Sequence, residues 1–577
     1  MKKYQEYMLN FSMSKLKNYL GEKMMETLVE WSPNGEMLLT KTRLITMIDC
    51  LYGANIFKNR EFRKDLLLSM AKSDILSIRD RCLSKEEKNE NDPIKIIDLI
   101  VQKTWGKNRI TRFLLDLWGV TDNIFTTDAV ESTISNSIHA SGERFYELLD
   151  YQYYIKQRAL FNLNSGNEQE KLFIHMPTGT GKTKTSMHII ANYMLFSLKK
   201  EGLVIWVAHT NELLQQAYDT FVNVWGHLGD GECTAYKIWG ENDIDNVDEP
   251  LNGIAFCGLS KLMSIYDSNP QLMQRLKKDC RLLVFDEAHK AGAEKTRMII
   301  DHLMRMPEGY VNRALIGLSA TPGRTTELSY NNSNLSNMFG NKLISIDSEI
   351  INQINMGRLQ ALNTVAEENI IRYFQERKIL SKITAEKLEY RTEFSEADTE
   401  ILSRELEDLG FGEKGFSKEQ LRVFAENKDR NKVIMEKLRE LYNNQIPTIV
   451  FACSVPHAKM LSAMLTLEGI ENSLVVGEMS PVDRKKAIED FKDKSNPTNI
   501  IINYEVLTTG FDSKNIRCVF ITRPTQSVVL YSQMLGRGLR GPMMGGNEEC
   551  LLVDIEDNLE AFDNETAFTH FNDYWRI

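Results

Sequence analysis

The sequence has no C-x-x-C pair, and its eight cysteines are scattered along the 577 residues. This absence argues against a zinc knuckle and a disulfide framework, and it favours reduced thiols in the cytoplasm. No uninterrupted apolar run reaches the roughly 20 residues of a membrane-spanning helix. The start of the chain lacks the apolar core and cleavage site of a signal peptide. We therefore expect a cytoplasmic protein without membrane association.

The sequence also lacks an excess of positive charge, because its formal net charge is −10. This value disfavours a protein that coats nucleic acid through bulk charge, but it permits a motor with a locally basic groove. No short-period repeat and no nuclease signature are visible. The hydrophobic fraction of 42% and the charged fraction of 26% are typical of soluble globular proteins, and the length allows about three or four domains.

Changes in the apolar pattern divide the chain into four predicted regions. Residues 1–140 place apolar side chains at three- and four-residue spacing, which predicts a helical accessory domain. In residues 141–345 and again in 436–577, short apolar runs alternate with helical stretches, which predicts two α/β lobes with doubly wound parallel sheets. Residues 346–435 are charged, helical in pattern and poor in strand signals, and we interpret them as a helical connector or insert.

A phosphate-binding loop is indicated by the sequence MPTGTGKT at 176–183, which follows an apolar run and opens a helical stretch. Gly179 and Gly181 would let backbone N–H groups face phosphates at a helix N-terminus. Lys182 would reach the β- and γ-phosphates, and the Thr183 hydroxyl would bind Mg²⁺. The strict pattern starts with glycine, whereas this segment starts with methionine. Taken alone, the segment could also be a glycine-rich turn without a ligand.

An acidic pair follows the apolar run at 282–285, in the sequence VFDEAH. Asp286 and Glu287 would lie at the carboxyl end of a strand, where ligands of open α/β sheets bind. Asp286 suits a partner of Mg²⁺, and Glu287 suits positioning or deprotonation of the attacking water. The alternative is a helix N-terminus with solvated acids.

A third segment, QMLGRGLR at 533–540, carries two arginines on one predicted helical face. Arg537 and Arg540 are three residues apart, and a planar, permanently charged guanidinium suits a transferring γ-phosphoryl group. Taken alone, the segment is explained equally well by a surface helix whose arginines bind nothing.

In this order the three segments resemble motifs I, II and VI of the superfamily 2 helicases, and the resemblance covers roughly residues 148–557. Further motifs of that family follow the same order along the chain. They are the glutamine motif at Gln152, for which Gln157 is a rival, motif Ia at HTNELLQQA, motif III at GLSATPGR, motif IV at FACSVPHA and motif V at VLTTGFD. The complete set predicts an ATP-driven motor.

The resemblance implies two RecA-like lobes that hold ATP and Mg²⁺ in the cleft between them. The catalytic residues that it implies are Glu287, Gln533, Arg537 and Arg540. The residues that it implies for ATP binding are Gln152, Pro177, Thr178, Gly179, Thr180, Gly181, Lys182, Thr183, Asp286, Gly510 and Asp512. The ligands of Mg²⁺ would be Thr183 and Asp286.

The family motifs also imply residues that act beyond the nucleotide. Hydrolysis would be coupled to movement of the lobes through Ser319, Thr321 and His289. The backbone of a nucleic acid would be contacted, in motifs Ia, IV and V, by Thr210, Ser454 and Thr508.

Two features favour DNA as the track. RNA-directed DEAD-box proteins usually carry DEAD in motif II and a histidine–arginine lead-in to motif VI, whereas this chain has DEAH and Gln533. TTGFD and the segment GPMMGGNEECLLVDI resemble the motor subunits of type I and type III restriction enzymes and related DNA repair or branch-migration helicases. We therefore expect an ATP-dependent helicase or translocase on duplex or forked DNA, with a role in phage defence or DNA repair. The alternatives are an ATP-timed nucleic-acid sensor or assembly module that recruits an effector, and an RNA helicase.

Residues 103–113, KTWGKNRITRF, interleave basic residues with Trp105 and Phe113. Such a segment could neutralise phosphates and stack on bases. The competing interpretation is an amphipathic helix with internal aromatics and solvated charges. We favour the second interpretation, because acidic residues balance the basic ones across residues 1–140. The same domain is the candidate surface for an effector protein such as a nuclease or a methyltransferase.

Overall fold

The structure is a computed structural model that describes residues 2–31, 38–120, 135–166, 169–240, 249–305, 313–320, 335–346, 370–392, 394–404, 407–408, 414–493, 495–496, 498–508, 511, 513–525 and 527–555. Contacts divide the chain into two units, and each unit is discontinuous in sequence. The first unit consists of residues 1–130 and 425–506, and the second unit consists of residues 131–424 and 507–577.

Helices account for most of the described residues before position 120 and separate the strands after it. In chain order they are α1 Lys3–Met8, α2 Met13–Leu20, α3 Glu22–Trp31, α4 Lys41–Tyr52, α5 Arg60–Leu68, α6 Lys72–Cys82, α7 Pro93–Gln102, α8 Arg109–Leu117, α9 Asp150–Leu163, α10 Lys182–Asn192, α11 Asn211–Leu228, α12 Leu259–Ser268, α13 Pro270–Asp279, α14 Glu294–Met304, α15 Ile370–Glu376, α16 Glu396–Ser403, α17 Lys418–Glu426, α18 Lys428–Asn443, α19 Val455–Leu467, α20 Pro481–Lys492 and α21 Val528–Leu535.

The strands are short, and most of them are strongly apolar. In chain order they are β1 Ser135–His139, β2 Gln169–His175, β3 Leu203–Ala208, β4 Glu232–Ile238, β5 Gly253–Gly258, β6 Cys280–Asp286, β7 Arg313–Ser319, β8 Leu343–Ser345, β9 Lys382–Leu388, β10 Glu407–Asp408, β11 Lys414–Gly415, β12 Thr448–Phe451, β13 Ser473–Val475, β14 Ile500–Asn503, β15 Cys518–Ile521 and β16 Glu549–Ile555.

The second unit contains an eight-stranded sheet in the order β1-β4-β5-β3-β6-β7-β2-β8. β1 is antiparallel to β4, and the other neighbouring strands are parallel. Every residue of β3, β5 and β7 is buried, as expected for central strands that are covered by helices on both faces. Because β6, β7 and β2 are neighbours and parallel, the segments that follow their carboxyl ends lie at the same edge of the sheet.

Among the strands after residue 380, β10 and β11 pair with each other in antiparallel orientation, and the others pair in parallel. In the first unit the order is β13-β14-β12, and in the second unit β15 pairs with β16 and β16 pairs with β9. β9 lies in the region 346–435, for which the sequence predicted helices and no strand. Its residues, KITAEKL, are exposed or half-buried along the whole strand. Because no side chain of β9 is fully buried, its sequence lacks the alternation of apolar and polar residues from which a strand is predicted.

Within the first unit, the N-terminal helices pack on the segment 425–506. The backbone N–H of Ala54 donates to the carboxylate of Asp483 at 2.9 Å. The indole N–H of Trp31 donates to the carboxylate of Glu468 at 3.0 Å. These partners are 429 and 437 residues apart in sequence, so the first unit forms only when both segments are present.

The predicted fold class is confirmed, since parallel α/β lobes of the RecA type follow a helical N-terminal domain. Within the described ranges, no helix combines the length and the apolar character that crossing a membrane requires.

Candidate active site

The phosphate loop joins β2 to α10, and two glycines shape it. Gly179 and Gly181 have φ angles of +88° and +83°, which residues with a Cβ atom rarely adopt. Met176 does not have a positive φ, its side chain is fully buried, and its N–H donates to the carbonyl of Ser319 at 3.2 Å. The methionine therefore fills core space at a point where this backbone does not require glycine.

The other residues of the loop hold its turn together. The hydroxyl of Thr180 donates to the carbonyl of Pro177 at 2.7 Å, and both residues are buried. Thr178 and Thr183 are half-buried, and Thr183 is the second residue of α10. The hydroxyl of Thr183 thus lies in the first turn of a helix, where the N-terminal N–H groups favour anions.

The acidic pair lies at the carboxyl end of β6. Asp286 is the last residue of this strand, and Glu287 follows it with φ and ψ angles of +53° and +51°. This left-handed conformation costs a non-glycine residue about 1–3 kcal/mol and is concentrated at functional sites. The backbone N–H of Glu287 donates to the Asp286 carboxylate at 3.0 Å, which holds the two acids in a fixed arrangement.

Lys182 binds both acids. Its Nζ lies 3.3 Å from Asp286 Oδ1 and 3.2 Å from Glu287 Oε1. Burial lowers the pKa of Lys182, but the negative charges of Glu287 and Asp286 outweigh it, so the pKa lies above its usual value. Burial raises the pKa of Glu287, but the Lys182 ammonium outweighs it and the pKa falls to about 2. The two carboxylates therefore keep Lys182 charged, and the charge of Lys182 in turn keeps Glu287 ionised.

One oxygen of Glu287 is suited to a further ligand. Oε2 is buried and accepts no hydrogen bond from the described part of the chain, although Nδ1 of His289 lies 3.3 Å from it. A buried carboxylate oxygen costs free energy unless a donor or a cation satisfies it. Asp286, Glu287 and the Thr183 hydroxyl together offer the hard oxygen atoms that Mg²⁺ prefers. No group of three or more His, Cys, Asp or Glu side chains among the described residues could hold a metal, so Mg²⁺ would also need oxygens of the nucleotide.

His289 joins three motifs. Its Nδ1 lies 2.9 Å from the hydroxyl of Ser319, in motif III. Its Nε2 lies 3.5 Å from the amide nitrogen of Gln533, in motif VI. The amide nitrogen of Gln533 can only donate, so in this contact Nε2 of His289 accepts and its Nδ1 carries the proton, on the side of Ser319 and Glu287. All four side chains are buried, so this network can pass a change at one motif to the others.

Sequence reasoning missed His175, the last residue of β2. Its Nε2 lies 3.0 Å from the carbonyl of Ala320 in motif III. Burial lowers the pKa of His175 to about 4, so the ring is neutral at physiological pH. The imidazole thus links the strand before the phosphate loop to motif III. Its position directly before the loop is the only signal in the sequence, and the motif patterns do not include it.

The first turn of α9 carries the glutamine motif. The Gln152 amide donates to the carbonyl of Thr180 at 2.9 Å, and its oxygen accepts the N–H of Leu149 at 3.0 Å. The hydroxyl of Tyr151 donates to the same Thr180 carbonyl at 2.6 Å. Gln152 is buried, whereas its rival Gln157 is exposed. The structure therefore brings Gln152, and not Gln157, to the phosphate loop.

Motif VI lies directly against the phosphate loop. A Cβ atom on Gly536 would lie 2.5 Å from Cβ of Thr178, so no larger residue fits there without a shift of the loop. Cγ of Arg540 would lie 3.7 Å from a Cβ atom on Gly179. Arg540 is thus the motif VI arginine that the structure places beside the loop.

Arg537 has a different environment. Its guanidinium donates to the carbonyl of Phe511 at 2.6 Å and to the carbonyl of Gln533 at 3.3 Å. The two arginines looked equivalent in sequence, but Arg537 bonds to backbone carbonyls of its own region.

The residues expected to contact nucleic acid have mixed environments. The hydroxyl of Thr210 caps α11 and accepts the N–H of Leu213 at 3.3 Å. Ser454 caps α19 in the same way and accepts the N–H of His457 at 3.2 Å. Thr508 is buried. The expected site residues Thr321, Gly510 and Asp512 lie outside the described residues.

In the segment 103–113, the aromatic faces are covered by arginines of the same domain. The guanidinium of Arg63 lies 4.4 Å from the ring centroid of Trp105. That of Arg81 lies 5.1 Å from the centroid of Phe113. This arrangement favours internal aromatics over a base-stacking surface, although the predicted helix is present only from Arg109 onwards, since residues 103–108 are not helical.

Comparison with known proteins gives two family matches in the order that the motifs predict. Residues 145–324 match the res subunit of type III restriction enzymes. Residues 430–541 match the helicase conserved C-terminal domain. Together with the fold and the arrangement of motifs I, II, III and VI, these matches show two conserved helicase-type domains in the order of that superfamily. The chain belongs to the superfamily 2 helicases, as the motifs predicted.

Several curated relatives are similar to this chain at low identity. The putative mitochondrial ATP-dependent helicase irc3 of Schizosaccharomyces pombe is 26% identical over 399 residues, which are 69% of this chain and 56% of that protein. A subunit of the type I restriction enzyme EcoAI endonuclease of Escherichia coli is 22% identical over 413 residues, 69% of this chain and 45% of the subunit. The ATP-dependent DNA helicase MPH1 of Vanderwaltozyma polyspora is 24% identical over 240 residues, 40% of this chain and 19% of MPH1. The chain thus spans about half the length of the first of these relatives, or less.

Proposed function

We propose that this protein hydrolyses ATP in response to DNA and uses the energy to translocate along DNA or to unwind it. The observation that carries the proposal is the buried network in which Lys182 bonds to Asp286 and Glu287, while His289 reaches Ser319 and Gln533. A buried ion pair contributes little to stability, so such a network is better explained by chemistry than by folding.

Each member of the network has a role in this reaction. The Lys182 ammonium would leave the two carboxylates and bind the β- and γ-phosphates of ATP. Glu287, freed from the lysine, would orient the attacking water and take its proton. Mg²⁺ bound to Asp286 and Thr183 would neutralise charge that develops on the phosphate oxygens.

Motif VI would sense the γ-phosphate. Arg540 lies beside the phosphate loop and is the better placed of the two arginines to stabilise the transferring phosphoryl group. Gln533 would report the same event to Ser319 through His289. For ATP to do work, it must bind one arrangement of the lobes more tightly than another.

Several observations support DNA as the track. The relative MPH1 is named a DNA helicase, and two further matches are restriction-enzyme subunits. Thr210, Ser454 and Thr508 are the proposed backbone contacts, and residues 1–140 are the proposed surface for an effector nuclease or methyltransferase. None of the eight cysteines forms a disulfide, which fits the proposed cytoplasmic location. Phage defence or DNA repair is the proposed role.

The test is the ATPase rate of the purified chain with single-stranded DNA, duplex DNA, forked DNA or RNA. We expect stimulation by DNA, and strand separation or translocation on the substrate that stimulates most. Stimulation by RNA alone would identify an RNA helicase. DNA-stimulated hydrolysis without movement would identify an ATP-timed sensor or assembly module. Lack of hydrolysis with all four substrates would contradict the proposal.

A further inference from the structure

Residues 373–381 lie between the two family matches, and neither match covers them. We propose that this segment, here named the strap, positions both ends of the nucleotide site within the second unit. Arg377 would set the glutamine motif, and Ser381 would set motif VI. The inference rests on the proposed function, because both residues act on the ATP reaction through other side chains.

The strap is anchored at one end to α9. Nη2 of Arg377 donates to both carboxylate oxygens of Asp150, at 2.8 and 2.6 Å. The two side chains are only 13% and 23% exposed, so this ion pair is screened less than one on the surface. The ring of Phe374 packs edge-on against Tyr151, with the centroids 5.1 Å apart.

This anchor acts on the residues that hold the phosphate loop. Asp150 is the first residue of α9, and Tyr151 and Gln152 follow it directly. Both of those side chains donate to the carbonyl of Thr180. A displacement of the first turn of α9 would therefore move the two donors of the loop together.

At its other end the strap is joined to motif VI. The hydroxyl of Ser381 lies 2.6 Å from the Arg540 carbonyl, and its backbone N–H donates to the carbonyl of Leu539 at 2.9 Å. The side chain of Leu380 would lie 3.2 Å from a Cβ atom on Gly179 of the phosphate loop. The hydroxyl also lies 2.7 Å from the carbonyl of Asn547, and because Ser381 is fully buried, water cannot take its place beside these two carbonyls.

Loss of each of the two anchors is expected to affect a different kinetic constant. In the family that this chain resembles the glutamine motif recognises adenine, so loss of the Arg377–Asp150 pair should disturb Gln152 and thus both the binding and the choice of nucleotide. Loss of the Ser381 hydroxyl should disturb the backbone of Arg540 and thus turnover. A segment that only stabilised the fold would produce neither effect selectively.

The experiment is steady-state ATPase and GTPase kinetics with stimulating DNA on the full chain. The variants are Arg377→Ala, Arg377→Lys and Ser381→Ala, and Lys378→Ala is the matched control. Lys378 is the next residue, and its ion pair with Glu548 is more than half exposed on both sides. We expect Arg377→Ala to raise KM for ATP about fivefold and to lower the preference for ATP over GTP by about the same factor, with kcat nearly unchanged.

Arg377→Lys should recover part of that preference, because a lysine can still pair with Asp150. Ser381→Ala should lower kcat about threefold without changing KM, and Lys378→Ala should resemble the parent. If Arg377→Ala unfolds early, the exchanged pair Asp150→Arg with Arg377→Asp carries the test, and a nucleotide preference that is not restored counts against the proposal. An unchanged KM and ATP preference in folded Arg377→Ala would overturn the strap proposal alone. A parent that hydrolyses no ATP would instead overturn the proposed function.

Discussion

Two basic segments of this protein, 533–540 and 103–113, have similar composition and different surroundings. In the first, Gln533 reaches His289 and Gly536 lies against the phosphate loop. In the second, Trp105 is covered by Arg63 of the same domain. The difference shows that basic residues indicate a site only when distant parts of the chain bring acids and a phosphate loop to them.

The largest expected effect on this comparison is that of Lys182→Ala. Without the ammonium, the site cannot neutralise the β- and γ-phosphates, and we expect kcat/KM for ATP hydrolysis to fall about 1,000-fold. The measurement is DNA-stimulated phosphate release. Lys295→Ala, at an exposed position of α14, is the control and should retain the parental rate. Comparable loss in both variants would mean that the assay reports stability and not the site.

Arg540→Ala sharpens the comparison within motif VI. The arginine acts on the transferring phosphoryl group, so kcat should fall about 100-fold while affinity for a fluorescent ATP analogue stays nearly constant. The exposed Arg517 lies in the same unit, and Arg517→Ala is the matched control. If Arg540→Ala hydrolysed ATP at the parental rate with DNA present, Arg540 of motif VI would have no part in the reaction.

A smaller effect is expected for Gln533→Ala, which breaks the contact with His289. The ATP-binding residues stay in place, so KM should hold, whereas kcat should fall about tenfold because motif VI no longer reports to Ser319. Stopped-flow or steady-state ATPase assays can resolve this. Gln157→Ala, which removes an exposed glutamine, is the control. A changed KM with an unchanged kcat would assign Gln533 to binding instead.

The smallest effect is expected in the other segment. Lys107 and Arg109 are exposed, and their neighbouring aromatics are covered. The double change Lys107→Ala with Arg109→Ala should alter the affinity for DNA by less than about threefold, since we expect these exposed charges to be solvated and not to contact phosphates. Fluorescence anisotropy at fixed salt measures it. A tenfold loss would make residues 103–113 a nucleic-acid contact and would end the comparison drawn above.

The sequence predicted the parts of the site that are contiguous and follow a strand. The loop 176–183 and the acids at 286–287 each form one short pattern, and the parallel sheet places such patterns at one edge. It also predicted the fold class, because alternating apolar runs and helical stretches have few other solutions.

The sequence did not predict contacts between single residues that are far apart. Asp150 and Arg377 are 227 residues apart, and neither belongs to a periodic pattern. Arg537 and Arg540 could not be told apart, because the carbonyl of Phe511 that binds one of them is a backbone group without a sequence signature. β9 was missed since its exposed residues alternate without an apolar face.

The discontinuity of the first unit has a consequence for synthesis. The N-terminal helices find their partners Glu468 and Asp483 only after residues 131–424 have left the ribosome. The 437 and 429 residues that separate these partners take roughly 20–90 s at ordinary rates of translation. During that time Trp31 and Ala54 lack the carboxylates to which they donate in the folded protein. The phosphate loop and the acidic pair, by contrast, can already fold. Newly made chains should therefore depend on chaperones at the N-terminal helices more than at the phosphate loop and the acidic pair.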